Sequence, residues 1–175
     1  MLKALLHSKL DGEFVRSPFE IEDLLTSVVL GSCAYVPPGV ALFPFLRLAR
    51  SVDGDSLEPA LGDAVDVDAT FWPDWAAFSD GDVGVHGAQP ELVLCVRHAD
   101  GRRSALLVEV KLHSGKSSQA TECDEISDQL AKYWLHLRRH AAAIGASAMG
   151  VVYVTTSSSL PVAELDASQA ELLTK

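Results

Sequence analysis

Between residues 105 and 112 the chain reads ALLVEVKL, an apolar run broken only at Glu109 and Lys111. In a strand successive side chains take opposite faces, so Ala105, Leu107, Glu109, Lys111 and His113 share one face and Leu106, Val108, Val110 and Leu112 the other. One face is then wholly apolar, and a strand this hydrophobic is expected to lie centrally with both sides covered. The preceding ELVLCV, residues 91–96, reads as its partner, and the tight turn at Asp100-Gly101 makes residues 91–113 a hairpin. AVDVDATFW, residues 64–72, alternates like a further strand, and VVYVTT, residues 151–156, reads as a buried one.

The remaining pattern is helical or turn-like. Ser17-Pro18-Phe19-Glu20 has the form of a helix start, with Ser as N-cap, Pro at the first helical position and Glu three residues after the cap. The helix is predicted over residues 18–34, ending before Pro37-Pro38. A second segment, residues 39–51, is interrupted by Pro44; a third helix is expected over residues 122–144 and a last one over residues 161–175. Residues 73–90 are turn-rich. Helix, hairpin, helix, strand, helix predicts an α/β domain with a mixed sheet, formed by the whole of residues 1–175.

At 100° per residue, Glu22 aligns with Leu25, Thr26, Val29 and Cys33 and is therefore the acid of the first helix that faces inward; the alternative is an acid at the edge of that face, reaching solvent. In the third helix Ile126, Leu130, Trp134, Leu137 and Ala141 form a core stripe, flanked by Gln129, Tyr133, His136 and His140, which would border a cleft. His136 and His140 have the i, i+4 spacing of metal ligands but lack the Glu of HExxH or a further ligand, so a solvated edge is expected.

Charge complicates the picture. The net charge of -10 argues against a generic nucleic-acid binder, whose basic surface displaces counterions from phosphates. Residues 51–68 account for six of that excess, holding six acids and no Lys or Arg, and bound divalent cations would also change the balance at a site. No apolar run reaches the roughly 18 residues that span a bilayer, and the N-terminus lacks the features of a signal peptide, so a cytoplasmic protein without membrane association is expected. Cys33, Cys95 and Cys123 show no CxxC spacing and read as free thiols.

Two motifs overlap in ALLVEVKLHSGKSS. A phosphate loop ending in Gly115-Lys116-Ser117 needs glycine at position 110, and Val110 stands there inside a strand; a nucleotide-binding switch relying on Lys116 is therefore not expected. Glu109 and Lys111, in contrast, lie where unpaired charge is costly. Either they pair with each other near the strand end, or Glu109 holds a divalent cation with Lys111 stabilising developing charge. Glu91, at the start of the partner strand, lies toward the same end of the hairpin and would join Glu109 on that cation; the alternative is a solvated strand-end acid.

These positions together resemble the PD-(D/E)XK nuclease superfamily: Glu22 in FEIEDLLTSVVLG, Pro90-Glu91 in QPELVL, Glu109-Val110-Lys111 in LLVEVK, and Gln129 to Tyr133 in DQLAKYW, the last with the QxxxY form of RecB-like nucleases. FWP at Phe71 to Pro73 and SGKSS before DQL are similar to a group of bacterial members that serve in defence against foreign DNA. The resemblance covers about residues 17–135 and implies a restriction-endonuclease-like fold, a mixed β-sheet core flanked by helices. It further implies that Glu22, Glu91 and Glu109 bind Mg2+ or Mn2+, that Lys111 assists the attacking water, and that Gln129 and Tyr133 support the site or contact DNA. The implied activity is metal-dependent hydrolysis of DNA phosphodiester bonds, with DNA or RNA as partner and with protein partners or further domains of a larger system. One departure matters. Motif two has Pro-Glu where Asp is usual, and the extra methylene of Glu91 moves a carboxylate that must meet the near-octahedral demands of Mg2+ at about 2.0–2.1 Å. The alternative is therefore a catalytically inactive nuclease-fold module acting as a DNA- or protein-binding scaffold.

Overall fold

The computed structural model describes residues 18–111, 125–155 and 161–174, with side chains from Glu22 onward. The Ser17 cap, the strand end at Leu112 and His113, the Gly115-Lys116-Ser117 loop, Cys123 and the expected helical start at 122 lie outside the described residues.

The first helix, α1, runs over Pro18–Leu25, passes through a π-helical stretch, Thr26–Leu30, and ends in Gly31–Cys33. Its length matches the expectation, and its inward face does so in part. Glu22, Thr26, Ser27, Leu30 and Gly31 are buried, whereas Leu25 and Val29 are 37% and 45% exposed and Cys33 is half-buried. Each π-helical turn takes up one more residue than an α-turn, so beyond Thr26 the buried stripe is carried onto Leu30 and Gly31.

Two short helices follow, α2 (Leu42–Leu46) and α3 (Glu58–Leu61). Pro44 lies in the first turn of α2, where a missing N–H removes no intrahelical bond, so it does not interrupt the helix. Strand β1 is Ala64–Phe71. The turn-rich segment contains a small hairpin, β2 (Phe78–Asp80) and β3 (Val83–Val85), closed by Gly81-Asp82 with Gly81 at a φ of +62°. Strands β4 (Leu92–His98) and β5 (Arg103–Lys111) form the expected hairpin, with Gly101 at a φ of +85° and its N–H donating to the His98 carbonyl at 3.0 Å. Helix α4 (Gln129–Ile144), strand β6 (Ala148–Thr155) and helix α5 (Val162–Thr174) complete the order.

The four-stranded sheet has the order β1-β4-β5-β6; its first two pairings are antiparallel and β5/β6 is parallel. The mixed sheet and the central place of β5 are as expected. Leu106, Val108 and Val110 pack with Leu30, Leu42, Phe43, Leu46 and Leu61, while Ala105 and Leu107 pack with Leu130, Tyr133, Leu137 and Ala141. Helices α1 to α3 thus cover one face and α4 the other, and β5 has no exposed face along its buried stretch. Among the described residues no helix is long and apolar enough to cross a membrane.

Helix α4 begins later than its periodicity suggests. Glu125 bridges to Gly84, the Ile126 N–H donates to the Gly84 carbonyl at 3.1 Å, and these contacts extend the chain against β3. Asp128 then caps the helix, its Oδ1 accepting from the N–H groups of Leu130 (2.9 Å) and Ala131 (3.0 Å). Removing such a cap costs about 0.5–2 kcal/mol. Asp128→Ala is expected to lower the melting temperature by a few degrees in thermal denaturation monitored by circular dichroism, and an unchanged transition would discount the cap.

Candidate active site

The carboxyl end of β5 is where the two helical layers meet. Glu109 and Lys111, separated by one residue, point to the same side of the strand, as alternation requires, and both are buried, at 1% and 7% exposure. From one side α1 delivers Glu22; from the other α4 delivers Gln129 and Tyr133, one helical turn apart. The Lys111 ammonium lies 2.9 Å from Glu109 Oε1 and 3.8 Å from Glu22 Oε2. Gln129 Nε2 donates to Glu109 Oε1 and to the Tyr133 hydroxyl oxygen, both at 2.9 Å, and the Tyr133 hydroxyl donates to the Gln89 carbonyl at 3.4 Å. Five of the six residues singled out by sequence, Glu22, Glu109, Lys111, Gln129 and Tyr133, form one buried cluster.

Glu91 is at the same level. The register in which Leu92 faces Val108 carries it toward Glu109, but its Oε2 accepts a hydrogen bond from Trp72 Nε1 at 3.0 Å. The Trp72 N–H also donates to the Glu91 carbonyl at 3.1 Å. Trp72 is the one non-glycine residue at positive φ among the described residues, +45°, a conformation that a bulky side chain adopts only when its surroundings enforce it. Here the enforcing contacts are its burial, at 3% exposure, and the two bonds to Glu91. Trp72 thus belongs to the site, and its trace in the sequence is the FWP triplet.

The electrostatics of the cluster are unbalanced: three buried carboxylates face the buried Lys111 ammonium, with the half-buried Lys132 also acting on Glu109. Burial pushes the Glu109 carboxyl above its ordinary value, Lys111 offsets this only in part, and Glu22 adds to the rise. Burial alone would lower Lys111, but Glu109, Glu22 and Glu91 outweigh it and hold the ammonium above its ordinary value. Burial also raises the Tyr133 hydroxyl, with Glu109 adding to the effect, so it stays a donor. Glu109 Oε2 is fully enclosed and accepts no hydrogen bond, a position that ordinarily costs about 1–3 kcal/mol and more for a charged group.

As placed, no three His, Cys, Asp or Glu side chains among the described residues are grouped to hold an ion. One oxygen of Glu109 is engaged by Lys111 and Gln129, and one of Glu91 by Trp72. The donor chemistry nevertheless fits a hard divalent cation. All the ligating atoms on offer are carboxylate oxygens, the excess charge is negative, and Glu109 Oε2 is an acceptor without a donor.

The second stripe of α4 departs from expectation. His136 is buried rather than solvated: its Nε2 donates to the His86 carbonyl at 2.8 Å and its ring stacks on Trp75 with centroids 5.3 Å apart. His140 is half-buried, tilted against the same indole at 5.9 Å. Burial lowers both imidazoles below their ordinary value, so they offer ring faces more than charge.

A further polar chain, unseen in the sequence, joins Asp63, His98 and Ser104. His98 Nδ1 is 3.0 Å from Asp63 Oδ1 and its Nε2 is 2.8 Å from Ser104 Oγ. The connectivity is that of a nucleophilic triad. Ser104 is sealed at 0% exposure within β5, however, and the His98 side chain is equally enclosed, so no substrate carbonyl can reach Oγ. The chain satisfies buried polar atoms at the turn end of the β4/β5 hairpin, far along β5 from Glu109.

Comparison of the chain with protein-family models, with curated proteins and with solved structures found no match in any of the three.

Proposed function

We propose that this chain is a divalent-metal-dependent nuclease with a restriction-endonuclease-like core, hydrolysing DNA phosphodiester bonds in defence against foreign DNA. The observation that carries the reading is the enclosed, donorless Oε2 of Glu109 within a cluster whose three carboxylates outnumber the two lysines that act on it. The four-motif resemblance supports it, and so does the position of the cluster at the carboxyl end of the parallel pair β5/β6, where ligands of α/β sheets gather.

Glu22, Glu109 and, once released by Trp72, Glu91 would hold Mg2+ or Mn2+. Such an ion, when bound, polarises a phosphoryl oxygen and lowers the pKa of a water. The roles of the chain's own groups follow from their geometry. Lys111, kept protonated by its neighbours, is an electrostatic partner for a non-bridging phosphate oxygen and not a general base. Gln129 fixes the orientation of the Glu109 carboxylate, and Tyr133 ties Gln129 to the Gln89 backbone. A cytoplasmic, reducing setting suits Cys33 and Cys95, which form no disulfide.

The second reading, a binding scaffold without catalysis, is favoured by one observation: one carboxylate oxygen of Glu91 is already engaged by Trp72. Incubating the protein with plasmid and single-stranded DNA in Mg2+ or Mn2+ separates the two. Metal-dependent cleavage that disappears in the Glu109→Ala, Lys111→Ala double variant supports the nuclease. Cleavage surviving in that variant rules out this site, and its absence from the unaltered protein leaves the scaffold.

A further inference from the structure

The stripe Gln129, Tyr133, His136, His140 does not stop at the cluster. It leads along α4 for about 16 Å, at 1.5 Å per residue, to an open cavity of about 300 Å³. Trp75, His136, Arg139 and His140 line it together with Asp74 and three alanines. The aromatic wall is held in place: Trp75 and Ala88 exchange backbone hydrogen bonds of 2.9 Å, and a Cβ added at Gly87 would stand 3.0 Å from the Trp75 carbonyl, so glycine permits the approach.

Charge on α4 is the reverse of that on the chain. The chain carries 24 acids against 14 Lys and Arg, yet α4 holds Lys132, Arg138 and Arg139 and no acid at all. Arg138 is engaged by Asp80. Arg139 is exposed, lies over the Phe78 ring with its guanidinium carbon 4.9 Å from the centroid, and pairs with no carboxylate among the described residues. A planar cation beside stacked rings meets the two parts of a nucleotide, phosphate and base, at once. A base within a duplex cannot offer its face to a side chain, whereas an unpaired one can.

We infer that this cavity is a subsite for an unpaired nucleotide, its base against the Trp75 and His140 rings and its phosphate on Arg139. The inference rests on reading the chain as one that acts on nucleic acid, and it specifies single-stranded polynucleotide as the ligand. Asp74 repels phosphate on its side of the cavity and so directs the backbone toward Arg139.

The test is fluorescence anisotropy of the full chain in EDTA with a labelled 12-nucleotide DNA strand, the corresponding RNA strand and the DNA duplex. One or both single strands are expected to bind about tenfold more tightly than the duplex. Arg139→Gln and Trp75→Ala should each weaken single-strand binding at least about fivefold, as loss of one stacking or phosphate contact does. Arg139→Gln should also reduce the slope of log K against log salt by about 0.7. Asp74→Asn should tighten binding, and Trp75→Phe, which keeps a ring, should retain most of it. Because Trp75 packs on His136, Trp75→Ala is checked by its melting curve, and exposed Arg139→Gln decides the matter if that variant unfolds. Duplex binding equal to or tighter than single-strand binding, no single-strand binding, or unaltered affinity in the Arg139 variant overturns the subsite. If cleavage fails while these affinities hold, the nuclease reading falls and the subsite stands; if cleavage occurs and Arg139→Gln binds like the unaltered chain, only the subsite falls.

Discussion

Replacing Glu109 by Gln is expected to abolish the response of the protein to divalent cations and to stabilise the cation-free protein at neutral pH. Glu109 is 1% exposed, one of its oxygens lacks a donor, and burial holds its carboxyl above its ordinary value of 4.5. A carboxyl raised in the folded state binds its proton more tightly there than in the unfolded chain. Its contribution to stability is therefore fully present below 4.5 and is lost as pH rises through the folded value. Gln reproduces the neutral carboxyl in shape and keeps it at every pH, so the variant should gain on the unaltered protein as pH climbs from the acid side. A cation reverses the comparison. At a hundred times its dissociation constant, Mn2+ stabilises the protein that binds it by about 2.7 kcal/mol, which for a chain of this length raises the melting temperature by roughly 5–10 °C. Thermal denaturation at several pH values, with and without Mn2+, reads both effects. A Mn2+ shift that survives in Glu109→Gln would remove Glu109 from the site.

Lys111→Met should be the most damaging single change in the cluster. It keeps the side chain's length and apolar stem but removes the cation that faces Glu109 at 2.9 Å and Glu22 at 3.8 Å. Deleting one partner of a buried ion pair leaves uncompensated charge and costs about 3–5 kcal/mol. Lys111 is raised above its ordinary 10.5 in the folded protein, so its contribution is complete at neutral pH and is lost only above that value. The variant should recover part of its stability on acidification, when the carboxylates take up protons, and on adding Mn2+, when a cation replaces the missing ammonium. Urea denaturation at pH 5 and pH 7.5, with and without Mn2+, provides the comparison. A loss under about 1 kcal/mol at pH 7.5 would mean that the carboxylates are not ionised together in the fold.

What these two substitutions share explains which parts of the site were legible beforehand. Glu109 and Lys111 share a face because strand alternation is a local rule, and the apolar neighbours of both residues made their burial foreseeable. Gln129 and Tyr133 are one turn apart by the same kind of local geometry. Glu22 and Thr26 lie inward as their period predicts, whereas Leu25 and Val29 are exposed; the π-helical stretch over Thr26–Leu30 changes the rotation per residue and carries the buried stripe past Val29 onto Leu30. His136 is buried where its place beside the core stripe predicts a solvated edge, because Trp75, Phe78 and the His86 carbonyl that cover it come from 50 to 61 residues away.

The sequence by itself determined the strand that carries Glu109 and Lys111, its hairpin with β4, and the helical identity of α1, α4 and α5. Each follows from side-chain period, turn chemistry or capping within about ten residues, where the chain's own geometry leaves few alternatives. Only the tertiary structure decided that α1 and α4 meet at one end of β5, that Trp72 is forced to a φ of +45° and holds Glu91, and that Asp63, His98 and Ser104 join in a sealed chain. Those features depend on strand order, register and the packing of distant segments. A single hydrogen bond such as that from Trp72 to Glu91 spans 19 residues and leaves no periodic trace in the chain.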